Sequence, residues 1–250
     1  MPDESTQVEE KHEGFAVLLD SKYPLLQKFR EACPGSFKHA QSLMAMVEGV
    51  STTLDLDVDF MRVAALYHDI GKVTNPKYFT ENQLEDEDLH KDLDPWLSFQ
   101  IISRHVSDSV NMLLNDKKFP RKVIEIISQH HGSTVTRFFF EKSNGKDQNS
   151  FRYNGTTPKS VESAVLMICD HLEATSRSLV QAGKYDPNTI IDNTITGLID
   201  DGQLDDVHMR LGDLKKIKEA LAKELEGLYQ KRVDYDHAKE EADESGEISS

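Results

Sequence analysis

Cysteine is nearly missing from this sequence. Cys33 and Cys169 are the only two in 250 residues; they have no metal-binding spacing, and Cys169 lies in an apolar run. A disulfide framework is not needed, and a reduced, cytosolic setting is expected. Positive charge is also scarce. Lys and Arg total 29 against 44 Asp and Glu, for a formal charge of −15 and a pI near 5.1. That balance argues against broad binding of nucleic acid or anionic membrane, while leaving local phosphate binding open. No run approaches the roughly eighteen apolar residues that cross a bilayer. The opening "MPDESTQVEEKHEG" has neither half of a signal peptide, so the expectation is a soluble, cytoplasmic chain with no membrane segment.

Internal repeats, low-complexity linkers and composition breaks are absent too. A chain of this length can bury a substantial core, and a single domain over residues 15–235 is expected. The flanking stretches 1–14 and 236–250 are acid-rich and too poor in apolar groups to offset the entropy of ordering them, so both read as disordered tails.

What is present is helical periodicity. Leu43, Met44, Val47, Val50 and Leu54 recur at three- and four-residue spacing, as do Leu214, Ile217, Leu221, Leu225 and Leu228. Pro95, Pro120 and Pro158 read as helix starts, with Gly132 and Gly183 as stops. Polar loops are expected at about 73–93 and 143–157. The fold class read from this pattern is all-α, with at most a minor β-hairpin near "SFRYNGTT".

Five of the ten histidines lie in or at the ends of apolar helical segments. His39 opens one, His68 closes the next, His105 lies within "IISRHVSDSV", and His130 and His131 close "VIEIIS". Any one of them alone is ordinary, since a buried histidine is more often a hydrogen-bonded core residue than a ligand. Two carboxylates alter that balance. Asp69 follows His68 at the end of its helix, and Asp170 interrupts "SAVLMICDHL". An unpaired ionised carboxylate in such places costs several kcal/mol or is forced neutral, and a bound cation removes both penalties. Imidazoles with carboxylates suit first-row metals such as iron or manganese better than calcium or magnesium. Seven candidate ligands exceed what one ion with open positions can use, and a bridging carboxylate would divide them between two.

The doublet "YHDIGK", with a preceding His, two later His stretches and a distal Asp, resembles the HD phosphohydrolase superfamily. The segments "PGSFKHAQSLM", "YHDIGKVTNPKYFTENQ", "IISRHVSDSV", "ISQHHGSTVTRFFF", "FRYNGTTPKSVESAVLMICDHLEATSRSL" and "DDGQLDD" follow in order like the cytoplasmic HD domain of the seven-transmembrane HD hydrolases. The resemblance spans about Phe15 to Tyr235. It implies an HD-domain helical bundle that hydrolyses cyclic di-AMP to the linear 5′-phosphorylated dinucleotide at a two-metal site. It also implies a ligand set: His39, His68, Asp69 and Asp170 around one ion, and His105, His130 and His131 around the other, with Asp69 shared. A mononuclear HD nucleotide phosphohydrolase would need only the first four. A catalytically silent module that binds cyclic dinucleotides is the non-enzymatic alternative. The family's membrane-spanning part is not in this sequence, which is compatible with a stand-alone chain or a piece of a longer one.

Lys72, three residues past Asp69, is within reach of a phosphate held at such a site, and is assigned that role by reach and by resemblance. Ser42, Ser128 and Ser133 lie near the ligand positions without a base–nucleophile arrangement. His90, whose neighbours in "LEDEDLHKDLDPW" are charged and solvated, is read as loop structure rather than as a ligand. Phe138 to Phe140 are read as core, and the leucine stripe from Leu214 to Leu228 as packing on its own domain rather than as a dimer seam.

Overall fold

The computed structural model describes residues 14–83, 88–145, 147–181 and 186–227. Of the expected tails only Gly14 falls among these, and Gly183, Leu228 and Tyr235 lie outside them. Eight helices have defined ends: α1 (Pro24–Ala32), α2 (Pro34–Leu54), α3 (Val58–Tyr67), α4 (Pro95–Asn115), α5 (Arg121–Ser128), α6 (Arg137–Lys142), α7 (Val161–Gln181) and α8 (Pro187–Asp200). Residues 14–19 and 211–227 are helical as well.

Local chemistry sets these ends. Proline occupies the first turn of α1, α2, α4 and α8, where its missing N–H is no loss. Asp57 and Asp94 cap α3 and α4 by accepting backbone N–H groups of the first turn. Helix α7 begins at Val161, three residues beyond Pro158, because Ser160 and Ser163 cap each other. Ser160 Oγ accepts from Ser163 N at 3.2 Å and Ser163 Oγ accepts from Ser160 N at 3.1 Å.

α3 is apolar nearly all round and runs through the interior, burying Phe60, Met61, Val63, Ala64, Ala65, Leu66 and Tyr67. It packs chiefly on α2, with α5 and α7 also against it. Phe15 and Leu18 near the start, and Ile217, Leu221 and Leu225 near the end, join the same core. The leucine stripe therefore faces its own domain. Each such side chain contributes roughly 1.5–3 kcal/mol by leaving water.

Two expectations need correction. The 73–93 loop is tighter than its polarity suggests: consecutive 3₁₀ turns run Ile70–Thr74, Pro76–Tyr78 and Thr80–Asn82. His90 lies in this loop as expected, and is itself buried; one ring nitrogen meets Tyr78 O at 2.7 Å, and the ring packs against Tyr78 and Phe139. Phe138 is 64% exposed, although Phe139 is buried and Phe140 packs beside it. Near the expected hairpin the described residues carry one isolated antiparallel bridge, Val135 to Arg152, and no strand.

Candidate metal centre

His68 and Asp69 emerge where α3 stops. Their turn is clamped by Ser109 of α4, whose Oγ donates to His68 O and accepts from Gly71 N, each at 2.8 Å. A side chain at position 71 would place its Cβ 2.1 Å from His105 O and 2.4 Å from Ser109 N. Glycine at this point of the "HDIGK" run lets α4 close onto the turn and bring His105 to Asp69. α2 supplies His39, the turn after α5 supplies His130 and His131, and α7 supplies Asp170.

Three imidazoles are held in the same way. Nδ1–H of His68 donates to Ala65 O at 2.8 Å, that of His105 to Ile102 O at 2.7 Å, and that of His130 to Ile127 O at 2.6 Å. Each acceptor lies three residues earlier in the chain. With a proton held on Nδ1 by the carbonyl, Nε2 is the atom each ring presents inward, and these nitrogens converge on Asp69. Asp69 Oδ2 faces His68 Nε2 at 3.2 Å and His39 Nε2 at 3.9 Å, whereas Oδ1 faces His105 Nε2 at 3.1 Å and His130 Nε2 at 4.0 Å. Asp170 likewise turns Oδ1 toward His39 (3.0 Å) and His68 (3.6 Å), and Oδ2 toward His131 Nδ1 (3.6 Å). All seven residues singled out in the sequence thus meet in one place.

The structure adds residues that sequence reasoning missed. His39 Nδ1–H donates to Glu173 Oε2 at 2.6 Å, the carboxylate–imidazole pairing that orients a metal-binding histidine. Glu173 is one helical turn past Asp170, so the i, i+3 spacing was the available signal. Tyr153 stacks on His131, with ring centroids 4.4 Å apart and planes at 26°. His171 forms a further possible ligand group with His131 and Asp170. Glu81 meets Lys72 Nζ at 2.7 Å, and Lys72 Nζ lies 2.7 Å from Asp69 Oδ2 and over the Phe79 ring. Lys72 accordingly lies, 12% exposed, between two carboxylates.

Burial raises the cost of charge on Asp69, yet His68 and Lys72 outweigh it and hold the carboxyl well below its usual range. Asp170 is held down in the same manner by His39 and His68. Burial lowers His68 too, but Asp69 and Asp170 lift it to about 10. His130 goes the other way, down to about 3, through burial and the nearby His68 and His105. Glu81, with Lys72 overcoming its burial, falls to about 2.

These residues suit a divalent metal. His68 Nε2 and Asp69 Oδ1 are buried without a partner of hydrogen-bonding geometry, which costs roughly 1–3 kcal/mol for each such group. His105 Nε2 and His130 Nε2 stand 3.3 Å apart, and with both protons fixed on Nδ1 this is two lone pairs face to face. Bound cations would relieve each of these. Two of the groups able to hold one are His39, His68 and Asp69, and His105, His130 and His131. Beside them opens a groove of about 910 Å³ whose lining includes Arg104, Asn111, His131, Arg152 and Tyr153.

A helical bundle closing a His-Asp doublet against further histidines defines an HD domain. The chain matches the HD domain family over residues 36–175 and belongs to it. Among curated proteins it is 32% identical over 225 residues to the cyclic-di-AMP phosphodiesterase PgpH of Bacillus subtilis, an alignment covering 88% of this chain and 32% of that protein. It is also 32% identical over 222 residues to PgpH of Listeria monocytogenes, covering 87% and 31%. The chain thus spans about a third of the length of these relatives. The crystal structure of the L. monocytogenes PgpH HD domain superposes with a TM-score of 0.77 at 32% identity, covering 83% of this chain and all of that one. The same domain in complex with cyclic di-AMP gives 0.75 at 31% identity, covering 82% and 97%. Among the described residues no helix is long and apolar enough to cross a membrane.

Proposed function

We propose that this domain is a phosphodiesterase that opens a cyclic dinucleotide, cyclic di-AMP first among them, to the linear 5′-phosphorylated dinucleotide. Two divalent transition-metal ions, iron or manganese, would be held by the seven residues. His39, His68 and Asp170 would take one ion and His105, His130 and His131 the other, with Asp69 giving one oxygen to each. The observation that carries this reading is the division of Asp69 itself: its two oxygens face two separate sets of imidazoles. When bound, such ions activate water and neutralise charge growing on a phosphoryl group.

The chain's own residues prepare the rest. Lys72 uses two of its three N–H groups on Asp69 and Glu81, which leaves one for a phosphate oxygen. Burial keeps that charge effective where water would screen it. Glu173 fixes the ring of His39. The groove beside His131 gives a dinucleotide room to lie along the centre with one phosphate reaching it. The similarity to proteins named as cyclic-di-AMP phosphodiesterases, and to a solved complex with cyclic di-AMP, supports the choice of substrate. A mononuclear site would leave the Nε2 atoms of His105 and His130 facing each other without a shared cation.

The test is a substrate panel of cyclic di-AMP, cyclic di-GMP and linear dinucleotides, run with manganese or ferrous iron and with metal analysis on the same sample. Linear dinucleotide from cyclic di-AMP is the expected product. Tight binding of the intact dinucleotide under every metal would overturn the proposal in favour of a silent binding module.

A further inference from the structure

The "DDGQLDD" turn carries none of the candidate ligands, yet it grips both segments that frame the second half of the site. Gln203 is 1% exposed. Its Oε1 accepts from Ser133 N at 3.0 Å, while its Nε2 donates to Ser133 Oγ at 3.0 Å and to Asp201 Oδ2 at 2.9 Å. Arg152 makes a bidentate pair with Asp201, at 3.0 and 2.7 Å, and donates to Ser133 O at 2.7 Å. Thr157 and Lys159 reach Asp206 in the same turn.

The sequence neighbours of these contacts matter. Ser133 lies two residues beyond His131, and Arg152 immediately precedes Tyr153, the ring stacked on His131. Gly132 between them has φ +49°, and a Cβ there would stand 2.5 Å from Gln203 Oε1, so the turn presses directly on the backbone that carries His131. We infer that Gln203 and Arg152 are positioning residues: they lock the 131–133 and 152–153 segments together so that His131 and Tyr153 face the site as one unit. This rests on the two-ion reading for its catalytic consequence, though not for its structural one. Gln203 must be an amide, because a carboxylate in its place would confront Asp201, whereas exchanging the two groups would restore donor to acceptor between positions 201 and 203 while costing Arg152 one of its two bonds to Asp201.

The experiment compares wild type, Gln203→Glu, and Gln203→Glu combined with Asp201→Asn, all as the full chain. In metal-free protein, the rate at which diethyl pyrocarbonate modifies His131 is followed by peptide mass. The same proteins are then titrated with manganese and assayed with cyclic di-AMP. Gln203→Glu is expected to speed His131 modification several-fold and to weaken one of two bound ions by roughly 10- to 100-fold, lowering kcat more than KM. The double variant keeps the Arg152 bonds to Ser133 O and to one oxygen at position 201, and is expected to recover part of both losses, which a merely misfolded protein would not do. Unchanged His131 reactivity in Gln203→Glu, or equal damage in the double variant, overturns the inference. A wild type that binds one ion, with the His131 response intact, removes the two-ion reading and leaves the positioning role standing.

Discussion

Around Asp69 Oδ2 the imidazoles of His39 and His68 are surrounded by carboxylates, whereas around Oδ1 those of His105 and His130 mainly meet each other. The first set has Asp170 and Glu173 within 3.0 Å of His39, and those charges pull protons onto its rings. The second set has backbone carbonyls behind it and one oxygen of Asp69 in front. Burial and its neighbours hold the His130 ring neutral, so the hold of this half on a cation depends on how well the scaffold aims its rings. The two halves therefore use different means, charge in one and pre-organisation in the other, and they should fail differently.

The largest effect is expected where the halves join. Asp69→Ala should lower turnover by on the order of a thousandfold or more, since several kcal/mol of charge stabilisation is lost at about tenfold per 1.4 kcal/mol. It should also empty both halves in metal analysis. Activity close to wild type would remove the shared-carboxylate account. Lys72→Ala separates holding metal from using it: turnover should fall about a hundredfold while metal content persists, as read by the two measurements on one preparation. Loss of both ions in that variant would instead make Lys72 a part of the metal scaffold.

Smaller effects sharpen the contrast. Glu173→Gln removes the charge behind His39 and should weaken the first ion by roughly tenfold, leaving the second unaffected in a manganese titration. Metal-free protein should show the halves as opposite limbs of a stability–pH curve. His68, raised to about 10 by its carboxylates, stabilises the fold fully below its ordinary value near 6.5 and loses that contribution as pH climbs through 10. His130, lowered to about 3, is without effect above about 6.5 and destabilises as pH falls below it, because only the unfolded chain takes up that proton. Thermal melts of metal-free wild type should therefore peak near pH 6.5. His68→Gln should flatten the alkaline limb and His130→Gln the acid one; the same pH profile in all three would contradict the assignment.

How much of this could be read without coordinates follows from where the signals live. Helices such as α3 announce themselves through an apolar periodicity that tertiary packing reinforces, and a carboxylate in an apolar run, as at Asp69 and Asp170, is costly enough to stand out. Glu173 and Glu81 did not stand out because acidic residues are common and only their partners, 134 and 9 residues away, give them meaning. The burial of His90 was not legible because the charged residues flanking it in sequence say nothing about the Tyr78 and Phe139 rings that pack on it. Phe138 shares an apolar triplet with Phe139, but a short helix buries only one of its faces. That Gly71 marks the approach of α4, and so the placement of His105, required the third dimension.

The most direct test is anomalous diffraction from crystals of the manganese-loaded protein, wild type and His130→Ala side by side. Two peaks flanking Asp69 in wild type, with the one beside His105 lost in His130→Ala, are predicted. A single peak among His39, His68 and Asp170, unchanged by that substitution, would contradict the account.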